Sequence, residues 1–163
     1  MKKAMLYITL VLLFVLQSTV NRYIDIMHIF PNFVLVFTVC YSLKSEPLKA
    51  GILGFLAGML TDISLGRLMG LNTLLFLYTA IAVSCYGFNY LKDNIFTSAV
   101  CVFAVTFIFE TVYGLLNYVL FDTASLKEII LNVVVFEAIY NMLVSFLMYG
   151  FTGWLAREQV RSF

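Results

Sequence analysis

AMLYITLVLLFVL, residues 4–16, decides the fold class. The run carries no charge and no regular alternation of apolar with polar residues. Comparable runs recur at Leu74–Val83 and Ile129–Phe136. A membrane β-barrel would instead show segments of roughly ten residues alternating in polarity. In lipid, only helices and closed barrels satisfy every backbone hydrogen bond, so continuous apolar runs specify helices.

Reading outward from that run, the remaining sequence is of the same kind. The 163 residues are 63% hydrophobic and 12% charged, with no polar stretch long enough to fold in water. The chain is therefore expected to be one domain, an all-α integral membrane protein built as a six-helix transmembrane bundle. The spans fall at about 4–20, 29–43, 48–65, 68–88, 95–121 and 129–155. The second is short, covering only about 22 Å of a roughly 30 Å hydrocarbon core. It either starts earlier, within Tyr23–His28, or crosses a thinned region. The last two exceed one crossing and should tilt or project.

Six spans put both ends on one side, where Lys2, Lys3, Lys44, Lys49, Lys92, Arg157 and Arg161 also fall. Arg22, Arg67 and Lys127 fall on the other. The excess of basic residues marks the cytoplasmic side, so both termini are expected in the cytoplasm. Lys2–Lys3 followed by an apolar run also resembles a secretory signal. Ser18-Thr19-Val20 fits the small-x-small cleavage pattern poorly, which favours a retained first helix. Cys40, Cys85 and Cys101 all lie in apolar runs, unlike a disulfide framework or a metal site. A net charge of +1 speaks against nucleic acid as a partner.

Three polar or small-residue features stand out. Gly51, Gly54 and Gly58 line one face of the third span and let another helix approach closely. That helix belongs either to the same bundle or to another subunit, a second copy of the chain included. The turn Gly58–Asn72 joins two apolar helices. Gly66 and Gly70 are suited to tight reversals, and Asp62 or Asn72 to accepting bonds from the first amides of a helix. Asp62 could also pair with Arg67. Such a turn either satisfies itself or presents its polar groups to a partner.

The third feature is two carboxylates deep in the last spans. Glu110 shares a face with Thr106, Gly114 and Asn117, and Glu137 with Asn141 and Ser145. An acid facing lipid is costly, so both should point into the bundle. Counted from the outer ends of antiparallel neighbours, they differ in depth by only about 5 Å and could occupy one layer. They either lock two helices in register through a protonated carboxyl, meet a basic or polar group of a partner, or line a proton or solute path. Catalysis finds little support: His28 is the sole histidine, and no zinc-protease, nucleophile-elbow or phosphate-loop motif is present. No cofactor or metal is expected, and the chain is not expected to be an enzyme. Trp154, near Arg157 and Arg161, reads as an interfacial anchor.

The order and spacing of Gly54, Gly58, Asp62, Gly66 and Gly70-Leu71-Asn72 resemble the rod shape-determining protein MreD family. Pro31-Asn32 opening an apolar run is a weaker match, since that family often has an acid after the proline. The resemblance implies a non-enzymatic scaffold of the bacterial cell-elongation machinery, in the inner membrane. It would dock MreC, with the glycine face of the third span and the turn around Asp62, Gly70 and Asn72 as the expected contacts, and link the MreB filament to peptidoglycan synthesis by RodA and a penicillin-binding transpeptidase. It also implies a fold similar to the substrate-binding components of energy-coupling-factor vitamin transporters. The rival reading is a solute-binding transporter component with Glu110 and Glu137 lining its cavity, although the first helix, with Ala4 as its only alanine, lacks the small-residue face those components use.

Overall fold

A computed structural model describes residues 2–23, 30–65, 70–90, 94–121 and 134–160. These form six helices: α1 (Lys2–Tyr23), α2 (Phe33–Ser42), α3 (Pro47–Leu65), α4 (Leu71–Tyr90), α5 (Ile95–Phe121) and α6 (Val135–Val160). Gly66, Arg67 and His28 lie outside the described residues.

The helix starts are set by local chemistry. α2 begins at Phe33 and not near residue 29, because Asn32 caps it: its side chain accepts from the Leu35 amide at 3.0 Å. The second helix is therefore only 10 residues long, shorter than the sequence suggested. α4 begins at Leu71 and not at 68, since Gly70 has φ +102°, a backbone region that a side chain disfavours.

α2 forms the axis of the bundle and touches each of the other five helices. These surround it in the order α1, α3, α4, α5, α6 and back to α1. From Val34 to Leu43 no residue of α2 is more than 1% exposed. Contacts along the helices give their directions. Gly51 lies against Ile81 and Gly58 against Thr73, so α3 and α4 are antiparallel. Thr106 meets Asn141 and Phe96 meets Phe146, so α5 and α6 are antiparallel as well. Asn32 bonds Asn141 and Lys44 bonds Tyr149, so α2 runs parallel to α6. Gln17 reaches Val34, which sets α1 against α2. Successive helices thus alternate in direction.

Polarity is arranged for lipid. Exposed positions include Ile8, Leu12, Ile63, Val119 and Leu147, the last at 81%. Thr38, Ser42, Ser84, Ser98, Thr106 and Asn141 are fully buried. A protein in water would not present so continuous an apolar exterior. By length and composition, Ile95–Val119 in α5 and Val135–Leu155 in α6 are long and apolar enough to cross a membrane. α1, α2 and α4 contain shorter apolar stretches.

Candidate functional site

The first candidate region is the α3–α4 hairpin. A methyl group built at Gly54 would sit 2.6 Å from the Phe76 carbonyl oxygen and 2.7 Å from Ala80 Cβ. At Gly58 it would sit 2.4 Å from Thr73 Cα and 2.6 Å from the Asn72 oxygen. At Gly51 it would lie 3.1 Å from the Ile81 side chain. The glycine face of α3 is therefore filled by α4 of the same chain. Without a hydrophobic drive between helices in lipid, such backbone-close packing is a main source of association.

Asp62 closes the turn end of this hairpin. Its Oδ2 accepts from the amides of Gly70 at 3.0 Å and Thr73 at 2.9 Å, and from the Thr73 hydroxyl at 2.5 Å. Its Oδ1 accepts from the Asn72 amide at 3.1 Å. One carboxylate thus satisfies amides that α4 leaves without an intrahelical acceptor and places negative charge at the positive end of that helix. Asp62 and Asn72 are each only 5% exposed. The Asp62 carboxylate is thus directed onto the chain itself.

The second region is a polar layer around the start of α2, assembled from four helices. The Asn32 amide donates to Asn141 Oδ1 at 2.7 Å, and Asn141 Nδ2 donates to Thr106 Oγ1 at 3.3 Å. The Val34 amide donates to Gln17 Oε1 at 3.2 Å. The Glu110 side chain lies next to the Asn32 side chain and the Glu137 carboxyl. The antiparallel register of α5 and α6 brings the two acids to one level. The layer answers a physical need, because a helix that starts inside the bundle has no water to satisfy its first amides. Gln17, Asn32 and Asn141 do so.

A third contact lies at the opposite end of α2. Lys44 Nζ donates to the Tyr149 carbonyl at 2.5 Å, stands 3.4 Å from the centroid of the Tyr149 ring, and lies 3.5 Å from Thr152 Oγ1. Gly153 leaves space for it, since a methyl there would be 3.0 Å from the ammonium. Trp154 is exposed near this end.

Among the described residues, which exclude Gly66, the sequence singled out Gly51, Gly54, Gly58, Asp62, Gly70, Asn72, Glu110 and Glu137. The structure gathers the first six into the hairpin and the last two into the polar layer, leaving the two groups separate. Gln17, Asn32 as a cap, and Lys44 on Tyr149 were not recognised. A solitary Gln in an apolar helix and an Asn just before one were the signals available. Among the described residues, no group of three or more His, Cys, Asp or Glu is arranged to hold a metal ion.

Compared with known proteins, residues 2–158 match the family model of the rod shape-determining protein MreD. Neither the curated proteins nor the solved structures contain a match.

Proposed function

The chain belongs to the MreD family of rod shape-determining membrane proteins, and from that premise we propose that it is a non-enzymatic scaffold of the cell-elongation machinery. In this reading it docks the transmembrane or juxtamembrane segment of MreC. It thereby couples the MreB filament to peptidoglycan synthesis by RodA and a penicillin-binding transpeptidase. The family match over 2–158 carries the proposal. Six crossings of the bacterial inner membrane, with both termini in the cytoplasm, agree with the alternating helix directions and with seven basic residues on one side against three on the other.

The docking surface proposed is the outward, lipid-facing side of the bundle. The glycine face, Asp62 and Asn72 are spent inside the hairpin and have little left to offer a partner. A photo-crosslinking residue placed in turn at Leu74, Tyr78, Val100, Leu143 and Leu147, all well exposed, should yield an adduct with MreC from at least one helix. No adduct from any position, together with failure of the two proteins to co-purify, would refute docking. Depletion should turn rod-shaped cells into spheres.

The vitamin-transporter reading draws on one observation, the inward polar layer. The polar groups of that layer bond one another, and the reading is tested by a thermal-shift screen with vitamins. A large, saturable stabilisation would replace the scaffold proposal.

A further inference from the structure

Among the described residues, the polar bonds given above fall within two units of the bundle. The glycine contacts and the Asp62 bonds join α3 to α4. Gln17, Asn32, Thr106, Glu110, Glu137 and Asn141 join α1, α2, α5 and α6 at one level, and Lys44 adds a bond from the end of α2 to α6. Among the described residues, no hydrogen bond runs from α4 to α5, whose rings Phe76 and Phe109 meet edge to face at 5.0 Å. α2 meets α3 and α4 through one apolar cluster that includes Val36, Leu53, Ala57, Phe76 and Val83.

The units are joined most firmly at one end. There the Ser84 hydroxyl donates to the Ser45 carbonyl, and Leu43 fills the space above Gly87, where a methyl would be 2.4 Å from Leu43 Cδ2. Phe76 lies about two to three turns of α4 away from this junction. Lipid tails can replace apolar contacts between helices at little cost, but they cannot replace hydrogen bonds. A seam made of apolar contacts should therefore part before the bonded interfaces on either side of it.

We propose that the α3–α4 hairpin is a rigid arm that pivots on the Leu43–Ser45 turn, with the Phe76–Phe109 contact as its latch at the opposite half of the bundle. Movement of the arm opens the α4–α5 seam while α2, α5 and α6 stay together. Hinges of this kind sit at a few element-terminal residues.

The full chain in lipid nanodiscs, carrying pairs of nitroxide labels, tests this by electron–electron distance measurement. Each pair is built with the remaining native cysteines replaced by alanine. Leu74→Cys with Leu115→Cys spans the seam on the latch side, and native Cys85 with Phe96→Cys spans it on the pivot side. Ile63→Cys with Leu74→Cys lies within the arm. All five positions are exposed. The latch-side pair should give a broader distance distribution than the other two. Phe109→Leu should shift it to longer distances or add a second peak while the other pairs hold. If Phe109→Leu fails to fold, the three pairs in the otherwise unaltered chain still decide. Equal widths at all three pairs, or broadening of the within-arm pair, would overturn the proposal.

Discussion

Replacing Gly58 by alanine adds one methyl group at the tightest point between α3 and α4. That methyl would stand 2.4 Å from Thr73 Cα, 2.6 Å from the Asn72 oxygen and 2.7 Å from the Thr73 nitrogen. All three are backbone atoms, so no side chain can swing aside. Ordinary contact begins at 3.4 Å, so the helices must separate locally by about 1 Å. The Asp62 bonds to Asn72 and Thr73 start only one turn away, at 2.9–3.1 Å, and would stretch with that separation.

Overpacking of this kind costs about 1–3 kcal/mol, and weakening of one Asp62 bond adds about 1 kcal/mol. Alanine returns about 0.4–1 kcal/mol by restricting the unfolded chain. The expected net loss is about 1–3.5 kcal/mol. Gly150 supplies the control, because a methyl there meets nothing within 4 Å. Gly150→Ala should be neutral or stabilising by up to about 1 kcal/mol. Reversible unfolding of the purified protein in mixed detergent micelles, followed by circular dichroism, measures both. Equal stabilities for Gly58→Ala and Gly150→Ala would refute the argument that α4 fills the glycine face.

Other consequences are open to the same measurement. Asn141→Leu leaves the Asn32 amide without its acceptor in a water-free interior and should cost about 1–3 kcal/mol. Glu137→Gln keeps a polar partner beside Glu110 and should unfold near the parent, whereas Glu137→Leu removes that partner and should be clearly less stable. Equal losses for the two Glu137 variants would show that the acid–acid contact contributes nothing. Lys44→Met loses the bond to the Tyr149 carbonyl and the ring contact, about 1–2 kcal/mol together. Gly153→Ala meets only the far end of the Lys44 side chain, at 3.0 Å from Nζ, and should stay within about 0.5 kcal/mol of the parent.

Features with local or periodic causes were legible in the sequence. Gly54 and Gly58 lie one turn apart on a helix, which announces close approach, and Asp62 before a glycine-bounded turn announces a helix start. Glu110 and Glu137 could be placed at one level from helix rise and antiparallel order alone. The central position of α2 could not be read, because Phe33–Ser42 is uncharged and mostly apolar. In lipid an apolar surface suits an outward helix as well as a buried one, so hydrophobicity stops reporting burial. The partners of Gln17, Lys44 and Asn141 were hidden for another reason. Lys44 and Tyr149 are 105 residues apart, and no periodicity links them. Whether the glycine face met α4 or another subunit was equally undecidable, since both require small residues at the same spacing.

The same physics explains why specificity in this fold rests on so few side chains. In water, burial of apolar area would hold the helices together and polar bonds would adjust their register. Here the apolar side chains of α5 and α6 are nearly as well solvated by lipid as by one another. What fixes α2 among its neighbours is then the polar layer at its start and Lys44 at its end, while three glycines and Asp62 fix α3 on α4. A lipid-facing residue such as Leu147, 81% exposed, can change among apolar types with little effect on the fold. That leaves the outward surface free to be shaped for a membrane partner, and makes substitutions there the informative ones for docking and uninformative for stability.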